Sequence, residues 1–236
     1  MLNRVALITG VGPGLGAALA RRFAREGFQI GLLARSSDFI EALGKEISAA
    51  GPRAISVVAD ASRPAEASAA VRRVRETLGA IGVLIHNPSS ALGQGLLATT
   101  PEEFEQCWQV AALGGFICAQ ETAPDMLKAG EGVMLFTGAT SSVRGGGWLA
   151  FSSAKFAVRG LVQSLARELW PQGVHVAHII IDGLIGTRQD QERVPAAEPF
   201  LDPDRIADAY WQLAIQDRSA WSLELDLRPH TEQFYV

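Results

Sequence analysis

A glycine-studded turn near the N-terminus constrains this chain more than any other feature. The apolar run Val5–Ile8 leads into Thr9-Gly10-Val11-Gly12-Pro13-Gly14-Leu15-Gly16, and residues with helical apolar spacing, Leu15–Glu26, follow at once. The spacing is Gly-x-x-x-Gly-x-Gly on Gly10, Gly14 and Gly16. The commoner Gly-x-Gly-x-x-Gly, begun at Gly10, would need a small residue where Leu15 stands. Glycines at a strand-to-helix turn let the backbone bend tightly and approach a ligand closely, and the helix N-terminus favours an anion. The turn reads as a phosphate-binding loop formed by Gly10, Gly12, Pro13, Gly14, Leu15 and Gly16. These glycines also break an apolar N-terminal stretch that would otherwise look like a secretory leader, so no leader is expected.

The rest of the chain repeats the strand-then-helix pattern. Strands are predicted at Val5–Ile8, Gln29–Ala34, Ala54–Ala59, Val83–His86, Val133–Phe136 and Val174–Ile181. Helices are predicted at Leu15–Glu26, Asp38–Ala50, Ala65–Leu78, Pro101–Leu127 and Leu149–Leu169, then Arg205–Ile215, with a last strand at Trp221–Leu227. The strands are continuous apolar runs, as expected when helices cover both faces of a parallel sheet. The predicted fold is α/β: one Rossmann-type, doubly wound parallel sheet spanning 1–236, without linker, repeat or second domain.

Composition narrows the function. The 236 residues carry a formal net charge of −4, and no Lys/Arg run builds a basic face, so nucleic acid is not an expected partner. No apolar run approaches the ~20 residues of a membrane span. Cys107 and Cys118 lie about 16 Å apart along one predicted helix, too far to bridge. Two cysteines without a framework suit a reducing compartment, so a cytoplasmic protein is expected. His175 and His178 are the only close histidines. They fall on opposite faces of a strand, so they read as local strand residues, and no metal site is expected.

Strand two ends in Ala34-Arg35-Ser36. A site for NAD usually places Asp or Glu there to hold both ribose hydroxyls. Arg35 and Ser36 instead offer a cation and a hydroxyl to a 2′-phosphate, which favours NADP(H) over NAD(H); a solvated arginine is the plainer alternative. Asp60, after strand three and beside Ala61, reads as an acceptor for the adenine amino group or as a cap for the following helix.

These residues resemble the short-chain dehydrogenases/reductases over essentially the whole chain. The likeness rests on Thr9-Gly-x-x-x-Gly-x-Gly, Asp60, Asn87 after strand four, Lys155 in the long helix, and Asp182-Gly183-Leu184-Ile185-Gly186-Thr187, where relatives read Pro-Gly-x-x-x-Thr. It implies hydride chemistry on a small-molecule carbonyl, alcohol or activated double bond, with Asn87, Lys155, Asp182, Gly183, Ile185 and Thr187 at the cofactor. It also implies a homodimer or homotetramer built on the helices at 101–127 and 149–169.

The resemblance further implies a tyrosine as proton donor, a serine thirteen residues before it as oxyanion donor, and a supporting helical asparagine. This chain has Phe151, Gly138 and Ala111 there, and His86-Asn87-Pro88-Ser89 where relatives read Asn-Asn-Ala-Gly. It looks like a divergent branch in which Phe151 replaces the tyrosine. A phenylalanine cannot donate a proton, and a positioned general acid contributes ~10²–10⁴ in rate. Candidate catalytic positions are Lys155, Phe151 and the nearby hydroxyl Ser142, with Thr140, Ser141, Ser152 and Ser153 as other hydroxyls. Two readings remain: an oxidoreductase with a non-standard proton donor, and a catalytically silent NADP(H)-binding sensor or partner subunit. Phe151→Tyr with Gly138→Ser is expected to return the missing groups. Tyr210, beside Trp211, is expected in a core, and Arg188, Gln189, Asp190 and Arg193 form a candidate substrate loop.

Overall fold

In a computed structural model, which describes residues 2–92, 95–186 and 200–231, seven strands form one parallel sheet. They are β1 (Val5–Thr9), β2 (Gln29–Ala34), β3 (Ala54–Val58), β4 (Val83–His86), β5 (Gly132–Thr137), β6 (Val174–Ile181) and, after two short strands, β9 (Glu224–Leu227). Their order is β3-β2-β1-β4-β5-β6-β9. The order reverses between β1 and β4, which opens a crevice at the carboxyl ends of these strands. The short strands β7 (Leu184–Ile185) and β8 (Phe200–Leu201) pair separately beyond β6.

Helices cover both faces, which explains the uninterrupted apolar strands. One core layer packs α1 (Leu15–Arg25), α2 (Ser37–Ala49) and α7 (Pro203–Ala214) on the sheet, through residues such as Phe23, Ile40, Ile47 and Ile206. The other packs α3 (Pro64–Leu78), α4 (Pro101–Trp108), α5 (Gly114–Ala129) and α6 (Leu149–Leu169), through Val71, Val74, Met126, Val158 and Val162. His175 and His178, on β6, point opposite ways. His175 stacks on Trp221 with ring centroids 4.9 Å apart, while His178 turns toward Gly138 and Glu224.

The predicted helix 101–127 is two helices in the structure. A capping box starts α4: Thr100 Oγ1 accepts from the Glu103 amide at 3.2 Å and Glu103 Oε2 from the Thr100 amide at 2.9 Å. A five-residue π-helical stretch, Gln109–Leu113, then separates α4 from α5. Helical periodicity does not reveal such a stretch. Its position beside the crevice fits the tendency of π-bulges to fall at functional sites.

No helix among the described residues is long and apolar enough to cross a membrane. Cys107 and Cys118 are buried free thiols.

Candidate active site

The glycine turn runs from β1 into α1. Gly10 has φ +71°, and a Cβ there would lie 2.5 Å from the Pro88 backbone nitrogen, so turn and β4 loop meet at glycine distance. At Gly16 a Cβ would lie 2.8 Å from the Val11 Cα, so α1 sits tightly on its own turn. Gly12 and Gly14 differ: nothing lies within 4 Å of a Cβ at either. Two glycines serve packing and two leave bare backbone facing open space at a helix N-terminus, where a pyrophosphate fits.

Beside this turn lies a cleft of about 240 Å³, lined by Gly10, Gly12, Arg35, Ser36, Asp60 and Ala61 among others. Arg35 and Ser36 are exposed at its rim. Asp60 accepts through Oδ1 from the Ser62 amide at 2.9 Å and the Ser62 hydroxyl at 2.7 Å. Burial opposes its charge, yet the Ser62 bonds and the nearby Arg35 and Arg63 cations hold its pKa below the usual aspartate value. The cap of α3 itself is Arg63, so Asp60 shapes the turn before the helix. Val11, Leu33, Ala59, Ser62, Pro88, Ser89 and Val110 also line the cleft. Sequence reasoning did not single them out, because nothing but adjacency to the motifs marks them.

At the ends of β4 and β5 the polar side chains form a chain. The Thr137 hydroxyl donates to Asn87 Oδ1 at 2.9 Å, and Asn87 Nδ2 donates to the Gly10 carbonyl at 3.1 Å. With its single proton so used, Thr137 accepts from the Tyr210 hydroxyl at 2.8 Å. Tyr210 is fully buried, as expected of a core residue, but its phenol is also tied to the site, and burial raises its pKa. Thus Asn87 holds the glycine turn to β5, with α7 behind it.

Lys155, on the second turn of α6, is 2% exposed. Its ammonium donates to the Thr137 carbonyl at 2.9 Å and lies 5.6 Å from the Phe151 ring centroid. Burial lowers its pKa to about 8. Ser142 is also buried, and its Oγ accepts from the Ala139 amide at 3.1 Å, closing the turn after β5. The Asp182 carboxylate meets the Thr140 hydroxyl and, at 2.8 Å, the guanidinium of Arg228. Gly183 and Ile185 follow in the exposed segment at β7. Thr187, together with Arg188, Gln189, Asp190 and Arg193, lies outside the described residues.

Two buried histidines pack behind these groups. His86 Nε2 donates to the Ala111 carbonyl at 3.2 Å, which leaves Nδ1 to accept from the Thr9 hydroxyl at 3.0 Å. Burial, with the Lys155 charge assisting, lowers its pKa to about 3. The imidazole fits because α5 begins with glycines: a Cβ at Gly115 would lie 3.2 Å from its ring. His178 corrects the Gly138→Ser expectation. A Cβ at 138 would lie 2.2 Å from His178 Nε2, so serine cannot enter unless the imidazole moves.

A family model described as short chain dehydrogenase matches residues 4–197. A crystal structure of a short-chain dehydrogenase from Rhodopseudomonas palustris superposes with a TM-score of 0.83 at 38% identity, covering 96% of this chain and 98% of that one. A metagenomic short-chain oxidoreductase crystallised in complex with NADP superposes with a TM-score of 0.82 at 28% identity, covering 97% and 98%. The BbsD subunit of (2S)-[(R)-hydroxy(phenyl)methyl]succinyl-CoA dehydrogenase from Thauera aromatica is 29% identical over 225 residues, 91% of this chain and 90% of that one. The chain belongs to the short-chain dehydrogenase/reductase family, a family of oxidoreductases.

Proposed function

We propose that this protein is an NADP(H)-dependent oxidoreductase that interconverts a small alcohol and its carbonyl, or reduces an activated double bond, without a tyrosine proton donor. The observation that carries this reading is the cleft beside the bare Gly12 and Gly14 backbone, with Arg35 and Ser36 at its rim. When bound, the cofactor supplies or accepts the hydride. Gly12, Gly14 and the α1 N-terminus hold its pyrophosphate, Arg35 and Ser36 its 2′-phosphate, and Asp60 and Ala61 flank its adenine. Asn87 braces the turn through Gly10, and Lys155 places a positive charge at the end of β5. NADP-bound relatives agree with this preference.

The test has two parts. Fluorescence titration is expected to show tighter NADPH than NADH binding, and steady-state assays over a panel of carbonyls and alcohols are expected to show cofactor turnover. A second reading, a silent NADP(H)-binding sensor or partner subunit, draws on Phe151, Gly138 and Ala111. It is favoured by tight NADPH binding with no turnover anywhere on the panel. We also propose a homodimer or homotetramer through α4, α5 and α6. Phe104, Trp108, Phe116 and Phe156 are each at least 40% exposed on these helices, while Val158 belongs to the core. Light scattering at micromolar concentration that gives a monomer rejects the assembly.

A further inference from the structure

A wide helical turn stands beside the cleft, and a strand histidine reaches it. The stretch Gln109–Leu113 is π-helical, with the Gly114 amide donating to the Gln109 carbonyl five residues back. Such winding is rare, and a stretch of it gains from a partner outside the helix. One of its residues, Val110, lines the cleft, and the next, Ala111, turns its carbonyl to the His86 Nε2–H at 3.2 Å. The Val110 carbonyl acts on the same ring.

His86 is itself held from the other side. It is the register partner of Thr9 across β1 and β4, and the Thr9 hydroxyl donates to its Nδ1 at 3.0 Å. Thr9 opens the glycine turn. The ring is 2% exposed and lies against the bare start of α5: a Cβ would come within 3.4 Å of its Cε1 at Gly114 and 3.2 Å of its Cδ2 at Gly115. A Cβ at Gly114 would also lie 2.8 Å from the carbonyl oxygen of Ala61, another cleft residue. The imidazole therefore spans from the glycine turn at Thr9 to the cleft wall at Val110, with one nitrogen accepting and the other donating. If only volume were needed, an apolar side chain would fill the space without burying two nitrogens.

We infer that His86 is a positioning residue for the cofactor, whose Nε2–H bond to the Ala111 carbonyl fixes the π-helical stretch and so the Val110 wall beside the adenine. This rests on the NADP(H)-binding reading above. No ligand needs to reach the buried ring, because it acts through the backbone of the stretch.

Two substitutions separate the two bonds of the ring. In His86→Gln the amide nitrogen can stand where Nε2 stood and keep the bond to Ala111. In His86→Asn the shorter amide reaches only the place of Nδ1, toward Thr9. Fluorescence titration is expected to give at least about fivefold weaker NADPH binding in His86→Asn, the weight of one hydrogen bond, and a Kd within about twofold of native in His86→Gln. NADH and adenosine 2′,5′-bisphosphate should lose affinity by the same factor, while nicotinamide mononucleotide binds as before. The backbone amides of 109–115 should exchange hydrogen faster in His86→Asn and not in His86→Gln. Equal losses in the two variants show a packing role and overturn the inference. In the native chain at pH 7, nitrogen-15 NMR of labelled histidine should place the His86 proton on Nε2; a proton on Nδ1 overturns the inference even if neither variant folds. A native chain that binds neither NADPH nor NADH overturns the cofactor reading and this inference together, whereas native-like binding in His86→Asn overturns this inference alone.

Discussion

The two ends of the crevice differ in how they keep a ligand site. At the β1–β2–β3 end the site consists of backbone and rim: bare glycines at 12 and 14, an exposed arginine, and an aspartate tied into a turn by Ser62. At the β4–β5–β6 end it consists of mostly buried side chains from separate elements: Thr137, Asn87, Tyr210, Lys155 and His86 joined by hydrogen bonds, with His178 packed neutral behind them. The first end needs glycines at fixed spacing and tolerates its surroundings. The second is a packing solution in which side chains from separate strands and helices share one volume, as His86 reaches the Ala111 carbonyl and His178 meets Gly138. In a close-packed interior, positions such as 138 and 178 are not independent.

The largest effect expected from this contrast is on acid stability. Unfolded histidines take a proton near pH 6.5, whereas burial keeps His86 neutral to about 3 and His178 to about 4. Between those values the unfolded chain binds more protons, so stability is full above pH 6.5 and falls as pH drops. Each residue contributes up to about 1.4 kcal/mol per pH unit, or about 3–4 kcal/mol for both by pH 5. His175, also lowered by burial, adds in the same direction. Urea unfolding at pH 7.5, 6 and 5 measures the slope, and His178→Phe and His86→Asn should each remove their own share. A flat profile would mean that the second end is not closed around neutral imidazoles, and the contrast would fail.

The same contrast explains what the sequence made legible. Strands Gln29–Ala34, Val83–His86 and Val174–Ile181 and helix Leu149–Leu169 match the structure residue for residue, because both-face burial writes itself as unbroken apolar runs and helical spacing. The glycine turn is local too, eight residues long, and so is its neighbour Arg35-Ser36. His178 is different: as a residue of an apolar strand it reads as filler, and its meaning arises only where β5 brings Gly138, forty residues earlier, beside it. The Thr137–Tyr210 bond spans 73 residues and likewise has no local signal. The π-helical stretch escaped because five residues of altered winding leave the apolar pattern of 101–127 nearly intact.

A smaller effect tests whether the second end is rebuilt or merely depleted. Phe151 lies one helical turn before Lys155 and is only partly buried, so a phenol fits there more easily than a serine fits at 138. If the only deficit is the acid, Phe151→Tyr should raise kcat for carbonyl reduction by ~10²-fold, about 2.7 kcal/mol of barrier, without help from position 138. If Phe151 instead shapes the pocket around a different proton source, kcat stays level or falls. Steady-state rates of the two proteins on one substrate separate these outcomes. A large gain would mean that the two ends differ by simple loss.

The smallest effect belongs to the first end, where one exposed side chain is expected to act alone. Arg35 sits at the cleft rim beside Ser36, with Asp60 within range of its charge. A guanidinium there gains charge-assisted hydrogen bonds from a 2′-phosphate and nothing comparable from a ribose hydroxyl. Arg35→Ala should therefore weaken NADPH binding by about 1–3 kcal/mol, leave NADH binding within about twofold, and leave the unfolding temperature unchanged, since the side chain is exposed. Salt should weaken NADPH binding in the native chain and do so less in the variant, because an exposed charge pair is screened. Paired fluorescence titrations at low and high salt measure both. Equal losses for NADPH and NADH would place Arg35 on a part common to both cofactors. The rim would then be coupled to the rest of the site as tightly as the buried end is, which is the opposite of what the bare, open turn implies.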